Sequence, residues 1–161
     1  MLDAIGWLLA SYLLGAIPAS YLAGRLGGVD LREVGSGNLG ATNLYRALGW
    51  AYAVPAGLFD VAKGAVPVLL FGPRLPGIPY FPVWCGLTAV LGHVFSVFVR
   101  FRGGKGVATA AGMVIALAPL AFPVVLAVWA LVVWLTGYVS LGSIIAALLF
   151  PAADWLLHPA R

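Results

Sequence analysis

Charge is scarce in this sequence. Nine Lys and Arg and five Asp and Glu make up 9% of the 161 residues, whereas 63% of the residues are hydrophobic. A soluble fold of this size leaves roughly 30% of the chain's surface in water, and so few charged side chains cannot cover it. A water-soluble globular domain is therefore excluded, and the composition indicates an integral membrane protein.

Cysteine and acidic residues are also nearly missing. Cys85 is the single cysteine, which excludes an internal disulfide and any multi-cysteine zinc or iron–sulfur site. The acidic residues are too scattered to hold a metal–triphosphate: Asp3, Asp30, Glu33, Asp60 and Asp154. We expect no metal and no cofactor. The formal net charge of +4 indicates membrane topology and contact with anionic lipid head groups rather than nucleic acid.

Long apolar runs recur along the chain, and a helix needs about 20 such residues to cross a bilayer. The runs cover residues 4–24, 50–72, 80–99, 107–135 and 138–157. No Lys or Arg precedes the first run, so we interpret it as a retained helix rather than a cleaved signal peptide. Pro119 and Pro123 interrupt the fourth run, which we divide into two short helices. The sequence therefore predicts an all-α, polytopic helical membrane protein with about six transmembrane helices.

Basic residues concentrate in two loops that are separated by two predicted crossings. They are Arg25, Arg32 and Arg46 in the first loop and Arg100, Arg102 and Lys105 in the second. Two crossings return the chain to the same face, and the positive-inside bias makes that face cytoplasmic. This assignment places the N-terminus outside, and only Arg74, in the intervening turn, argues weakly against it.

Residues 35–43, GSGNLGATN, form a glycine-rich motif in the first basic loop. Glycine lets successive backbone N–H groups converge on an anion, and a helix that follows adds free N–H groups and its dipole. We predict such a helix from Asn43 to Leu48 with Asn43 as its cap, which sets Thr42 and Arg46 on one face. The alternative is a flexible loop at the membrane surface with ordinary turn chemistry.

Residues 102–109, RGGKGVAT, form a second glycine-rich motif, which also opens a helix and has Lys105 near its centre. It is not a nucleotide-binding P-loop, because Val99 and Gly106 stand where that motif requires a glycine and a hydroxyl that binds magnesium. We therefore predict a metal-free phosphate site at this motif.

Asp60, Lys63 and His93 are ionisable side chains within the predicted spans. Asp60 and Lys63 share a helical face, so either they neutralise each other or Lys63 points into a polar cavity with Asp60 steadying it. His93 precedes Ser96 and Arg100 at helical spacing, which predicts one stripe near the cytoplasmic end; a histidine that only packs is the alternative. We interpret His158, near the end of the chain, as interfacial.

The pattern favours two bound anions and no covalent intermediate. Arg46, Lys63 and Lys105 are three cations on one side of the membrane, more than one phosphate requires. Ser36 and Ser96 lack the sequence context of an activated nucleophile. Direct transfer between two phosphorylated molecules, one with a lipid tail, fits this pattern. The alternatives are a small transporter or channel for an anionic solute and a non-catalytic subunit that anchors a partner.

Four ordered blocks carry a family resemblance. They are residues 12–18 (YLLGAIP), 35–43 (GSGNLGATN), 92–109, which contains GHVF and FRGGKGVAT, and 136–143 (TGYVSLGS). Lys63, Gly64 and Val68 match a further motif. Over nearly its whole length the chain resembles the bacterial acyl-phosphate:glycerol-3-phosphate acyltransferase family of the PlsY type.

The resemblance implies transfer of a fatty acyl group from acyl phosphate to the 1-hydroxyl of sn-glycerol 3-phosphate, an early step of phospholipid biosynthesis that gives lysophosphatidic acid and phosphate. It implies direct, substrate-assisted transfer, in which the acyl phosphate helps to deprotonate the attacking hydroxyl. Carried over motif by motif, the catalytic residues are His93, Lys105, Ser36 and Asn38. The substrate-binding residues are Thr42, Asn43, Arg46, Lys63, Gly103, Gly104, Gly106, Thr109, Ser140 and Ser143.

The implied partners are glycerol 3-phosphate, a long-chain acyl phosphate and membrane lipid, with no nucleic acid. We expect residues 1–161 to form a single acyltransferase domain in a bacterial cell (inner) membrane, with the active site on the cytoplasmic side. The acyl chain should lie between helices, open to the bilayer. Family members typically continue into a seventh helix and a basic, Asn-containing C-terminal motif, which we expect to be missing here.

Overall fold

The computed structural model describes residues 2–157, and the regular structure in that range is entirely helical. Eight α-helices of that range follow in order: α1 (Leu2–Ala16), α2 (Ala19–Leu26), α3 (Ala41–Leu48), α4 (Trp50–Val66), α5 (Phe81–Val94), α6 (Val107–Leu117), α7 (Phe122–Thr136) and α8 (Val139–Leu157). A π-helical turn (Pro67–Phe71) and a 3-10 turn (Gly72–Arg74) extend α4, and another 3-10 turn (Val97–Val99) follows α5. The predicted all-α fold is confirmed. His158, which we interpreted as interfacial, lies outside the described residues.

Four helical segments of the described chain are long and apolar enough to cross a bilayer: Leu2–Leu26, Trp50–Arg74, Phe81–Val99 and Val139–Leu157. Two shorter apolar helices, α6 and α7, occupy the run that contains Pro119 and Pro123. Helix α6 ends at Leu117 and α7 begins at Phe122, as the predicted division requires. All six predicted apolar helices are therefore present, and four of them reach spanning length.

The first span is bent rather than straight. Pro18 separates α1 from α2, because proline donates no N–H and its ring clashes with the preceding turn of a helix. Near such a break, carbonyls of the preceding turn lose their usual helical donors, and the Ile17 carbonyl accepts the Ala19 N–H at 3.0 Å instead. The bend therefore makes backbone carbonyls available as hydrogen-bond acceptors within an otherwise apolar span.

Two further boundaries correct the sequence-based prediction. Helix α3 begins at Ala41 with extended Gly40 as its N-cap, so the prediction that Asn43 caps this helix is wrong. Helix α5 ends at Val94, and the chain then turns through extended and 3-10 backbone. The predicted helical stripe that joined His93 to the residues three and seven positions later is therefore wrong.

The chain divides after Met113 into two compact units. In the first unit, glycines bring helices into close contact. A Cβ added to Gly15 would collide with the Ala89 carbonyl, and one added to Gly64 would collide with the Thr109 carbonyl. Small residues of this kind let membrane helices approach backbone to backbone. Helix α1 thus packs closely on α5, and α4 on the start of α6.

In the second unit, α7 and α8 pack against each other. Gly137, with a φ of 74°, makes the turn between them, and Gly142 lies against the backbone and ring of Trp129. Trp129 Nε1 donates a hydrogen bond to Ser143 Oγ at 3.3 Å. Ser143 Oγ in turn donates to the Val139 carbonyl at 2.8 Å.

Candidate active site

The first glycine motif is folded around one buried side chain, Asn43. Its amide nitrogen lies 3.1–3.2 Å from the carbonyl oxygens of Leu31, Val34 and Asn38. Its Oδ1 accepts the backbone N–H of Ser36 at 3.1 Å. Because every polar atom of this amide is used inside the loop, the structure places Asn43 as the organiser of the loop, and its predicted contact with substrate stays a prediction.

Other polar residues of the same motif remain at the surface. Ser36, Thr42 and Arg46 are exposed, and Asn38 is half-buried. Thr42 and Arg46 lie four residues apart on α3, as predicted. The Ser36 hydroxyl accepts the backbone N–H of Asn38 at 3.4 Å. A loop fixed from inside and polar outside is suited to binding an anionic ligand.

Asp30 anchors the loop just before this motif. Its carboxylate accepts hydrogen bonds from Arg32 Nε at 2.9 Å and Arg32 N at 3.0 Å, and it pairs with Arg25 at 3.3 Å. The side-chain hydrogen bonds from Arg32, followed by its backbone hydrogen bond, lower the pKa of Asp30 from 3.8 to about 2. The Arg32 guanidinium also lies over the Tyr21 ring, 5.1 Å from its centroid. Arg25 and Arg32 therefore stabilise this loop through Asp30, and Arg46 is not part of these ion pairs.

The second glycine motif packs against His93. Gly103 N donates to the Val94 carbonyl at 2.9 Å, and Gly104 N donates to the His93 carbonyl at 3.2 Å. A Cβ at Gly103 would collide with the His93 carbonyl, and a Cβ at Gly104 would collide with His93 Nε2. Both glycines are therefore required by the close approach of the loop to the end of α5.

The exposed residue at the centre of this motif is Lys105. Gly106, with a φ of 79°, turns the chain directly into α6, whose backbone begins with a hydrogen bond from Ala110 N to Gly106 O at 2.8 Å. The free N–H groups and the dipole of the helix N-terminus thus follow immediately after the lysine. Cation, glycine backbone and helix N-terminus together form the arrangement that favours phosphate.

A shared hydrophobic core joins the two glycine motifs within the first unit. Leu31, Leu39 and Leu44 are buried around the first motif, and Val99, from the 3-10 turn before the second motif, lies in the same cluster. The flanks of both motifs therefore lie at the same end of this unit. This is the arrangement that a common cavity requires.

A polar network is buried beneath this end. Lys63 Nζ lies 2.8 Å from Asp60 Oδ1 and donates a hydrogen bond to the Ile17 carbonyl at 2.7 Å. Asp60 Oδ2 accepts a hydrogen bond from Ser20 at 3.3 Å, and His93 Nδ1 lies 3.5 Å from Asp60 Oδ1. Asp60 and Lys63 therefore neutralise each other, which was the first of the two alternatives for this pair. The predicted role of Lys63 in binding substrate remains a prediction.

The Pro18 bend explains why the network lies at this depth. The Ile17 carbonyl accepts from Lys63, and the neighbouring Ala16 carbonyl accepts a hydrogen bond from Ser96 Oγ. Tyr12 adds a hydrogen bond from its hydroxyl to the Phe95 carbonyl at 2.7 Å. Sequence reasoning missed these donors, although the proline itself signals that carbonyls in the preceding turn lose their helical partners.

An apolar cleft of about 300 Å³ opens beside the bend. Its lining comes from the bend and α2 on one side and from the 3-10 turn after α5 on the other: Ile17, Pro18, Tyr21, Leu22, Phe98 and Val99. The cleft is therefore a hydrophobic surface that adjoins the polar network and shares Val99 with the core between the motifs.

Three further predicted site residues are Thr109, in the first unit, and Ser140 and Ser143, in the second. Thr109 is fully buried where α6 meets α4, and its hydroxyl has no partner within residues 2–157. Ser143 is half-buried in the α7–α8 pair described above, and Ser140 is exposed on α8. Their roles in binding stay predictions. The described residues contain no group of three or more His, Cys, Asp and Glu side chains that could hold a metal ion.

Comparisons with known proteins give one consistent result. The family model for glycerol-3-phosphate acyltransferase matches residues 5–160. The glycerol-3-phosphate acyltransferase of Chlorobaculum parvum is 48% identical, with 94% of this chain and 70% of the relative covered. The enzyme of the same name from Trichlorobacter lovleyi is 50% identical, with 94% of this chain and 77% of the relative covered.

Two solved structures share the fold. Both are crystal structures of PlsY (YgiH), an integral membrane glycerol 3-phosphate acyltransferase. Its glycerol 3-phosphate form is 41% identical with a TM-score of 0.85, and covers 96% of this chain and 76% of its own. Its lysophosphatidic acid form is 40% identical with a TM-score of 0.82, and covers 94% of this chain and 78% of its own.

Proposed function

The chain belongs to the glycerol-3-phosphate acyltransferase family, and we propose that it transfers a fatty acyl group from an acyl phosphate to the 1-hydroxyl of sn-glycerol 3-phosphate. The products are lysophosphatidic acid and inorganic phosphate. Relatives of this name and a neighbour with glycerol 3-phosphate and lysophosphatidic acid forms support both the substrate and the product.

The observation that carries this proposal is the pairing of two glycine motifs at one end of the first unit. Each motif has an exposed cation in it or directly after it: Arg46 lies on α3, after the first motif, and Lys105 lies within the second. A guanidinium binds phosphate through two parallel hydrogen bonds, whereas an ammonium acts as a compact charge. We assign one phosphorylated substrate to each motif, with Ser36, Asn38 and Thr42 orienting the molecule bound at the first.

Positioning does most of the catalytic work in this scheme. The 1-hydroxyl oxygen bonds to the acyl carbon, the bond from that carbon to the bridging phosphate oxygen breaks, and the hydroxyl proton passes to the departing phosphate. An acyl phosphate is already activated, so the protein aligns the two molecules and offsets the repulsion between their phosphates. The N–H groups at the start of α6 donate hydrogen bonds to the negative charge that develops.

We place the beginning of the acyl chain in the apolar cleft beside Pro18. Each CH₂ group that leaves water there contributes about 0.8 kcal/mol. The cleft shares Val99 with the core between the two motifs, so a lipid tail in the cleft would hold its head group near them. The rest of the chain would extend between helices toward the bilayer.

We further propose that the protein lies in a bacterial inner membrane with both motifs on the cytoplasmic side and its N-terminus outside. The support is the concentration of Arg and Lys in the two loops. Soluble glycerol 3-phosphate then reaches the site directly from the cytoplasm.

The test is transfer by purified full-length protein in detergent, with palmitoyl phosphate and radiolabelled glycerol 3-phosphate and without magnesium. We expect labelled lysophosphatidate from the unaltered protein. Lys105→Ala should lower kcat/KM on the order of 100-fold, as removal of one stabilising donor does elsewhere. Arg74→Gln, which removes a cation at the far end of the Trp50–Arg74 segment, is the matched control and should retain activity.

The rival function gives a different result. A transporter or channel would move an anionic solute into vesicles without forming lysophosphatidate. Solute uptake without lysophosphatidate, or full turnover by Lys105→Ala, would refute the assignment.

A further inference from the structure

Two buried polar atoms face each other without hydrogen-bond partners. Asp60 Oδ1, on α4, is ion-paired with Lys63 but accepts no hydrogen bond of good geometry within the described chain. His93 Nδ1, on α5, lies 3.5 Å from that oxygen and likewise has no partner there. Asp60 is only 2% exposed and His93 only 7%. Because buried polar atoms are almost always paired, the natural pairing joins these two.

The pairing determines which nitrogen of the ring carries the proton. When Nδ1 donates to a carboxylate, Nε2 of the neutral ring keeps its lone pair and becomes an acceptor. Nε2 points toward the second glycine motif, close enough that a Cβ at Gly104 would strike it. The Asp60 carboxylate therefore makes His93 Nε2, which lies against Gly104, a hydrogen-bond acceptor.

Asp60 is itself held firmly. Lys63 compensates its charge, and Ser20 donates to its other oxygen. Lys63 is bound in turn to the Ile17 carbonyl at the Pro18 bend. A buried ion pair adds little net stability, because the cost of desolvating the two charges offsets their attraction. Stability alone therefore does not account for this pair.

We propose that Asp60, neutralised by Lys63, is a positioning residue for the acyl transfer. It holds His93 with Nδ1 protonated, so that Nε2 accepts a hydrogen bond at the second glycine motif and fixes the loop that carries Lys105. This inference rests on the proposed function. In this proposal the effect of Asp60 on transfer passes through His93, and Lys63 contributes to it by neutralising the Asp60 carboxylate.

The first experiment is a double-mutant cycle in full-length protein. D60V/K63M removes both carboxylate oxygens and their counter-ion together, which leaves no unpaired charge in the interior and no acceptor for His93 Nδ1. H93L removes both ring nitrogens at similar volume, and the triple variant closes the cycle. Ser11→Ala, which removes a buried hydroxyl bonded to the Trp7 carbonyl, is the control for loss of a buried polar group and should keep normal kcat.

We expect D60V/K63M to lower kcat about 10–100-fold, the cost of a small misplacement of catalytic groups, with KM for glycerol 3-phosphate changed less than about threefold. The triple variant should resemble H93L alone, because residues that act as a unit are not additive. A normal kcat in D60V/K63M, or a triple variant whose loss is the product of the two separate losses, would overturn the inference.

The second experiment is an NMR measurement on the unaltered protein, so it depends neither on turnover nor on the folding of a variant. Long-range ¹⁵N–¹H correlation spectra of the ¹⁵N-histidine protein report the proton position on each of its two histidines, His93 and His158. We expect Nδ1 of the buried histidine to be protonated; protonation at Nε2 alone contradicts the inference. Failure of the unaltered protein to form lysophosphatidate would instead overturn the proposed function, a result distinct from normal transfer by D60V/K63M.

Discussion

Some polar residues in this protein stabilise a loop from inside, and others lie exposed on its surface. The sequence alone did not distinguish the two groups. Asn43, at the end of the first motif, and Arg46, one helical turn later on α3, were both predicted to bind substrate. In the structure Asn43 is enclosed by three carbonyls, whereas Arg46 is exposed. The motif predicted where the polar residues gather. It could not predict which one turns inward, because that depends on how residues 31–38 fold back over α3.

Replacement of Asn43 by Ala tests its role as the organiser of the first loop. The change leaves buried carbonyls unpaired and should cost about 1–3 kcal/mol of stability. Thr42→Ala, on the exposed neighbour, should leave stability within about 0.5 kcal/mol. Thermal unfolding in detergent measures both. Equal melting temperatures for the two variants would contradict the assigned role.

The ion pairs of Asp30 give the loop a defined acid sensitivity. Because the pKa of Asp30 is lowered from 3.8 to about 2, its stabilisation is fully present above about pH 4 and is lost as the pH falls toward 2. The melting-temperature difference between the unaltered protein and Asp30→Asn should therefore be constant from pH 5 to 8 and shrink below pH 4. A difference that grows on acidification would have the wrong sign.

At the scale of helices and loops, sequence patterns predicted the apolar helices well because hydropathy fixes them directly. The same patterns did not predict where the helices end. Helix α5 stops at Val94 and the loop doubles back onto His93, which required Gly103 and Gly104 to lie against it. The glycines suggested ligand binding from sequence. Their closeness to a histidine ten residues earlier depends on tertiary packing that no local pattern records.

Gly104→Ala tests this contact between the loop and the histidine. The added methyl group must displace the His93 ring, so kcat should fall on the order of 100-fold while the protein remains folded. Gly77→Ala is the matched control, since a Cβ there meets nothing, and it should leave transfer unchanged. Normal kcat for Gly104→Ala would show that the loop can move without cost.

Filling the cleft beside Pro18 tests where the acyl chain begins. Leu22→Trp places a large ring in the cleft, so it should raise KM for palmitoyl phosphate at least about fivefold and affect a short-chain acyl phosphate much less. Leu13→Trp, at an exposed position of α1, is the control. Unchanged KM for palmitoyl phosphate in Leu22→Trp would exclude the cleft as the site of the tail.

For the molecule as a whole, composition alone predicted a helical membrane protein, and four ordered motifs predicted its family. What they could not predict is the buried network at the Pro18 bend, where the bend itself, α2, α4 and α5 contribute to one set of polar contacts. Asp60 and Lys63 were visible as charges within a span. Their partners Ser20 and His93 come from distant segments, so only the folded chain brings them together.

The central claim is that both phosphorylated substrates are bound at once and react directly with each other. Initial rates of lysophosphatidate formation, measured while acyl phosphate and glycerol 3-phosphate are varied together, test it most directly. Direct transfer predicts intersecting double-reciprocal lines and no burst of phosphate when glycerol 3-phosphate is omitted. Parallel lines with such a burst would reveal an acyl-enzyme and contradict the account.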